Sequence, residues 1–329
     1  MSSSGLKPCA FKELRLPPGW RAVYSSSSMI RILFTIYAGL FGLVFGSFLN
    51  VCLSRWPKGE SVVLPRSRCS GCGRQLTWWE NVPLLSWLAL RGRCRTCHAW
   101  IGWRHPLVEL AIGVLWALSF WQWAPWLWTS ASNSLTRPYG ALVDSVGSLI
   151  LLWLLVALAI LDAENLWLPD WLTLPGIALG FIEILLRVEL NSDTVLKFYG
   201  AMALRQRMFY PIAFHWLLGI LAAAALILLI RWVYWLFRRR EGIGLGDAKL
   251  MALLAAWLGL PGALLAFALG VVFGALVAIV LLAIPAGRAG KDGWALKKLP
   301  LGTFLCIGGI VSSLWGQPII ATYLHWAGL

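Results

Sequence analysis

Two aspartates stand where apolar chain meets polar chain. Asp162 closes the run 149–161, and Asp247 opens another within Gly244-Leu-Gly-Asp247-Ala-Lys249. The whole sequence holds only 14 acidic residues, and ionisable groups at the edge of a membrane-length helix are costly enough to mark function. Two carboxylates that approach each other can divide the work of peptide hydrolysis, one accepting the proton of water while the other donates one. A structural reading competes, because an Asp at a helix start caps the free N–H groups there. Capping suits Asp247, and equally Asp170 after Pro169, whereas Asp162 ends its helix, where the dipole opposes an anion.

Four cysteines form a second constellation. Cys69-Ser-Gly-Cys72 and Cys94-Arg-Thr-Cys97 are CxxC pairs separated by 21 residues, a spacing suited to a four-thiolate zinc site. Each turn aims two sulfurs at one point, and closing both on one ion folds a loop too polar to build its own core. Three other readings compete. Cys94 to His98 is a CxxCH haem-attachment pattern, which belongs outside the cytoplasm and leaves the first pair unused. Disulfides are disfavoured in a reducing compartment, and a redox CxxC calls for a βαβ context that is missing. Cys9, Cys52 and Cys306 have no such partner and read as small hydrophobes.

The elements that must position these groups are helices in lipid. Of 329 residues, 59% are hydrophobic and 13% charged, with a mean hydropathy of +0.74, which excludes an ordinary soluble domain. Apolar runs of about 20 residues, the length that crosses a hydrocarbon core of roughly 30 Å, predict about eight spans near 33–52, 106–128, 146–161, 171–188, 211–236, 248–260, 262–285 and 303–325. The expected fold is therefore an all-α polytopic bundle carrying a zinc-binding loop. The sixth and seventh spans, parted only by Gly259-Leu-Pro-Gly262, imply a tight helical hairpin. The 22 Trp read as interface anchors. Gly242-Ile-Gly244-Leu-Gly246 follows no strand and fails as a nucleotide loop; its glycines suit close backbone approach at a helix start.

The net charge of +14 reads first as topology, with no nucleic-acid partner expected. Residues 53–105 carry nine Arg and Lys between two spans, which assigns that loop to the cytoplasm. Continuing the alternation puts 17 basic residues inside against four between spans outside, plus five more if the first 31 residues are kept there. Asp162 and Asp247 then share the cytoplasmic face. Residues 1–32 are expected to be a disordered extension without a signal-peptide core, 33–128 a region holding the first two spans and the cysteine loop, and 129–329 a membrane-embedded peptidase region.

The ordered blocks Gly46-Ser-Phe-Leu-Asn-Val51, Pro65-Arg-Ser-Arg-Cys69, Trp78-Trp-Glu-Asn-Val-Pro-Leu-Leu-Ser-Trp87, Arg91-Gly-Arg-Cys94 and Pro106-Leu-Val-Glu109 resemble the N-terminal region of type IV prepilin peptidases. Asp162 through Leu168-Pro-Asp170, with Leu172-Thr-Leu-Pro175, resembles that family's first aspartate motif. Gly244-Leu-Gly-Asp247-Ala-Lys249 resembles its GxGD motif, and Pro300-Leu-Gly-Thr-Phe-Leu305 a C-terminal motif. The likeness runs in order from about 33 to 310.

The resemblance implies a bifunctional intramembrane aspartyl protease of the bacterial plasma membrane. Such enzymes remove the basic leader from type IV prepilins or type II secretion pseudopilins at the cytoplasmic side, then methylate the new N-terminus with S-adenosylmethionine. It assigns catalysis to Asp162 and Asp247 and supporting places to Asp170 and Lys249, with Gly244 and Gly246 of the same motif; the CxxC spacing, independently, gives Cys69, Cys72, Cys94 and Cys97 as the expected metal ligands. Candidates for the methyl-donor site, by resemblance only, are Gly46, Ser47, Asn50 and Glu109; Gly46 and Ser47 read equally well as small helix-packing residues. Segments 129–145 and 189–212 are longer than the family suggests, and Glu164 is an extra acid that reads as a solvated side chain or a tuner of substrate charge. Rival functions are a GxGD protease without methyl transfer, and a redox or transport protein using the acids as a proton relay and the CxxC pairs as electron carriers.

Overall fold

The computed structural model describes residues 18–129, 137–199, 201–239, 244–283 and 299–328 of the chain. Among them the elements are helical, with α1 (Pro18–Arg55), a short α2 (Leu85–Ala89), α3 (Arg104–Thr129), α4 (Arg137–Asn165), α5 (Asp170–Tyr199), α6 (Ala201–Arg238), α7 (Leu245–Ala283) and α8 (Leu301–Trp326). No strand forms among the described residues beyond two isolated bridges in the cysteine loop. Residues 18–28, expected to belong to a disordered extension, continue α1, while Cys9 lies outside the described residues.

Six of these helices are long and apolar enough to cross a membrane: Met29–Lys58, Arg104–Ala124, Leu142–Asn165, Ala213–Arg238, Leu245–Leu281 and Leu301–Trp326. This is a multi-pass membrane protein. Two of the eight predicted segments, 248–260 and 262–285, fall in α7, and the segment 171–188 falls in α5, which carries Glu183 and Arg187 along its length.

α7 is folded back on itself. At Gly259 the backbone leaves the helix (φ 69°, ψ 172°), a left-handed value that glycine adopts without steric cost. The neighbours show the reversal. Along α5 the first arm rises in step, with Lys249 at Asp170, Leu253 at Gly176 and Trp257 at Gly180. Along α8 the second arm runs backwards, with Gly270 against Leu305, Ala266 against Gly308 and Gly262 bonded to Ser312. α5 and α8 both run antiparallel to α4, since Gly147 meets Glu183 and Leu154 meets Gly176, while Asp162 meets Thr303 and Leu155 meets Gly309. The two arms of α7 are therefore antiparallel, the tight hairpin that the spacing predicts.

Lipid tails are as apolar as leucine, so close approach of small residues and polar contacts hold such helices together. A Cβ on Gly42 would lie 2.9 Å from Gly113 Cα, and one on Gly46 2.7 Å from Glu109 Cα, so α1 and α3 touch backbone to backbone. A Cβ on Gly308 would lie 2.1 Å from Ala266 O. Tryptophans serve this packing as well as the interface: Trp116, Trp153, Trp216 and Trp257 donate their indole N–H to Leu149, Phe45, Ala256 and Gly176 carbonyls on other helices. In hydrocarbon an unmade bond of this kind costs several kcal/mol. The centre is filled by Leu152, Leu155, Leu158 and Leu161 of α4 with Leu250, Met251 and Leu254 of α7.

Candidate active site and metal centre

Asp162 sits at the C-terminal end of α4, where three residues remain before the helix stops, and is 6% exposed. Its own helix dipole disfavours a carboxylate there, and α8 compensates. The backbone N–H of Thr303 donates to Asp162 Oδ2 at 2.7 Å and the Thr303 hydroxyl lies 3.2 Å from the same oxygen. Thr303 belongs to the first turn of α8, where N–H groups are unpaired and the dipole favours an anion.

Asp247 has a parallel arrangement on another helix. It lies in the first turn of α7, 8% exposed, and its Oδ2 accepts the Gly244 N–H at 3.3 Å. This is the reach-back half of a capping box, so the capping role foreseen for Asp247 is realised. Leu168 lies against both Gly302, which faces Asp162, and Gly246, which precedes Asp247, so the two aspartates share one end of the bundle. Two helix N-termini thus converge on two neighbouring carboxyl groups, and glycine makes the convergence possible: a Cβ on Gly302 would lie 2.8 Å from Asp162 Oδ2, and one on Gly246 3.2 Å from Leu168. Leu168 contacts both glycine positions and joins the 166–169 turn, the start of α7 and the start of α8 into one unit.

Asp170 opens α5, and its Oδ1 accepts from Lys249 Nζ at 2.5 Å in an exposed ion pair. The structure brings these two supporting candidates together and gives Asp170 an ion-pair partner in addition to its place at the helix start. Glu164 is exposed, as a solvated side chain should be, and also pairs with Arg104 Nε at 2.6 Å, which ties the turn after Asp162 to the start of α3. Thr303 was not singled out by sequence reasoning, although it lies inside the C-terminal motif; the available signal was a hydroxyl residue in the first turn of a predicted apolar helix.

The cysteine loop folds as two matching knuckles. Cys69 N donates to Arg74 O and Cys94 N to Ala99 O, both at 2.9 Å, and each turn closes on a residue of positive φ, Gly73 (70°) and His98 (56°). The four sulfurs all lie within 4.8 Å of one another, and those of Cys69 and Cys97 are 3.7 Å apart. Tetrahedral Zn–S bonds of about 2.3 Å require S···S separations near ~3.8 Å, so the residues fit the ion. The backbone N–H groups of Cys97 and Thr96 bring the Cys94 thiol down to about 6. Cys97 receives the Ala99 N–H, yet desolvation and the crowding sulfurs push it up to about 11; a divalent cation is what lets all four ionise together.

Glu80 braces the first knuckle. It is buried, its Oε1 accepts from Arg74 at 2.6 Å, its Oε2 accepts the Thr77 N–H and hydroxyl, and the Arg74 guanidinium holds its carboxyl down at about 2.

The four candidates for a methyl-donor site lie along one seam between α1 and α3 and differ in what they contact. Gly46 is consumed by helix packing. Ser47 stands beside Glu109, whose Oε2 accepts the Leu84 N–H at 2.8 Å. Asn50 donates to His105 O at 2.9 Å and leaves its buried Oδ1 without a partner. Cys52 and Cys306 are buried, as small hydrophobes should be.

Comparison with known proteins agrees with this geometry. Residues 40–123 match the family model of the bacterial peptidase A24 N-terminal domain, and 149–279 that of the type IV leader peptidase family. A prepilin leader peptidase/N-methyltransferase of Stutzerimonas stutzeri is 34% identical over 322 residues, covering 90% of this chain and 96% of the relative. The protein of the same name from Pseudomonas aeruginosa is 32% identical over 321 residues (90% and 95%), and that from Myxococcus xanthus 37% over 273 (82% and 69%). No solved structure matches the chain.

Proposed function

The chain belongs to the type IV leader peptidase family, and we propose that it cleaves the leader peptide of prepilins or pseudopilins and then methylates the new N-terminal amine. The observation that carries the proposal is that Asp162 and Asp247 lie at the N-termini of α8 and α7, which Leu168 joins. Peptide hydrolysis needs one carboxylate to take the proton of the attacking water and one carboxyl to give a proton to the scissile peptide. A fixed cradle of N–H groups orients such a pair at no reorganisation cost during reaction.

We read Asp170 and Lys249 as a supporting ion pair at the mouth of the site, Gly244 and Gly246 as the glycines that let α7 begin there, and residues 129–329 as the peptidase region. The basic 53–105 loop supports placing both aspartates at the cytoplasmic face of the inner membrane. Zinc held by Cys69, Cys72, Cys94 and Cys97 would act as a structural clamp, because four protein ligands leave no open position for chemistry.

Methyl transfer falls to the 33–128 region in this reading. S-adenosylmethionine supplies an electrophilic sulfonium methyl; the chain must hold the pilin amine neutral and in line. Asn50 Oδ1, buried and unpartnered, and the Ser47–Glu109 pair are the groups retained for that task. The two-function name shared by relatives aligned over 90% of this chain supports both activities and leaves the protease-only and redox readings unfavoured.

The test is Asp162→Asn and Asp247→Asn. Each variant should lose leader cleavage yet still methylate an already processed pilin N-terminus. Near wild-type processing by either would reassign that aspartate to a structural role, and loss of methylation in both would mean one shared site.

A further inference from the structure

The cysteine loop carries an apolar face that neither the proposed hydrolysis nor the metal site uses. On α2, Leu85 and Leu88 lie one turn apart on the same side and are 66% and 63% exposed. Beside them Trp87, Trp100 and Trp103 pack on one another, with ring centroids 4.4 Å apart for Trp87 and Trp103 and 6.0 Å from Trp100 to each. Trp87 satisfies its indole N–H on Ile101 O, while Trp100 and Trp103 remain 53% and 59% exposed. Five large apolar side chains on a loop of this size are costly in water.

These side chains adjoin a span. Trp103 immediately precedes Arg104, where the membrane-spanning part of α3 begins. The Leu84 N–H bonds Glu109 Oε2, so the start of α2 is tied back to the first turns of that span. Leu84 adopts φ 56° to make this return, a strained value for leucine. The chain that carries the face is basic. No acidic residue lies between Glu80 and Glu109, and Arg91 and Arg93 are exposed just after α2.

We propose that α2 and the three tryptophans form a foot that lies in the headgroup layer, Leu85 and Leu88 entering the acyl boundary while Arg91 and Arg93 contact anionic lipid phosphates. Apolar residues and tryptophan beside the start of a span, with arginine next to them, are the pattern of an interfacial anchor. The foot holds the cysteine knuckles against the membrane surface. A pilin-binding face is the other occupant such a surface could have; attachment to the first turns of the α3 span favours lipid.

The full chain, reconstituted in nanodiscs of phosphatidylcholine alone or mixed with phosphatidylglycerol, is photolysed with a lipid bearing a diazirine close to the glycerol, and adducts are mapped by mass spectrometry. Peptides covering 84–103 should be labelled, several-fold more with phosphatidylglycerol. Leu85→Glu with Leu88→Glu should reduce that labelling several-fold while peptides from the middle of α3 and the zinc content stay unchanged. Arg91→Gln with Arg93→Gln should remove only the dependence on phosphatidylglycerol. Labelled α3 with unlabelled 84–103 would overturn the proposal, as would labelling that ignores both pairs of substitutions, or labelling that a bound pilin segment displaces.

Discussion

The Thr303 backbone N–H donates to Asp162 Oδ2 across 141 residues of chain, at 2.7 Å. That one bond places an α4 carboxylate under the dipole of α8, and it yields a sharp test one residue away. Gly302→Ala adds a methyl that would sit 2.8 Å from Asp162 Oδ2 and 3.0 Å from its Cγ. Alanine is the better helix former by about 1 kcal/mol, so α8 itself should not suffer. We expect cleavage to fall by about 10²-fold, the cost of a displacement near 1 Å at a reacting group, with methylation of processed pilin retained. Unchanged cleavage would mean that Asp162 is not held where it must act.

Thr303→Val keeps the backbone donor and removes the hydroxyl. The hydroxyl has one proton and also faces Ala159 O at 3.0 Å, so the milder outcome expected is roughly a tenfold loss in kcat, about 1.4 kcal/mol, with KM little altered. A loss as large as that of Gly302→Ala would assign the main role to the hydroxyl.

The Arg104–Glu164 pair joins the start of α3 to the turn two residues after Asp162. Half-exposed ion pairs are worth at most about 1 kcal/mol, so Arg104→Glu should barely move thermal stability. Cleavage should fall several-fold through misplacement of the 162–170 turn, and Arg104→Glu combined with Glu164→Arg should restore it. Failure of the swapped pair to restore activity would deny this contact a positioning role.

Metal analysis should return about one zinc per chain, and Cys69→Ser or Cys94→Ser should lower it and expose the 53–105 loop to protease. Haem absorbance, or full occupancy after both cysteines of one pair are replaced, would refute the four-thiolate site.

Glu80 gives a prediction with a definite sign in pH. Its folded value near 2 lies below the ordinary carboxylate value, about 4.3 in an unfolded chain. Its stabilising effect is therefore complete above that ordinary value and fades as pH falls through the folded one. Glu80→Gln should render the loop more protease-sensitive, with excess zinc present, by the same factor at pH 7 and pH 5. A difference that has already disappeared at pH 5 would argue against the Arg74 pairing.

Much of this was legible in residue order because local chemistry fixed it. Helix length in lipid follows from hydrophobic run length, the knuckles from CxxC spacing, and the hairpin from Gly259 and Pro261. What stayed hidden were partners chosen by tertiary packing. Lys249 and Asp170 are 79 residues apart, and only the parallel course of α5 and the first arm of α7 makes them neighbours. The pairing of Glu164 with Arg104 is hidden in the same way. The indole bonds of Trp153 and Trp257 depend on which carbonyl faces which helix, a matter of rotation that composition does not encode. The number of spans was ambiguous for a related reason, since α5 carries charges that burial against α4 neutralises: Arg187 pairs with Asp144 and Glu183.

The reversal at Gly259 also decides what surrounds a short helix. From Leu245 to Leu258 the first arm of α7 rises only about 20 Å at ~1.5 Å per residue, against a hydrocarbon thickness of roughly 30 Å. Its residues Ala248 and Leu250 to Ala256 are buried, so neighbouring helices and not lipid enclose the arm. A segment too short to span on its own is thereby kept inside protein, where the residues at its ends can be polar without meeting hydrocarbon.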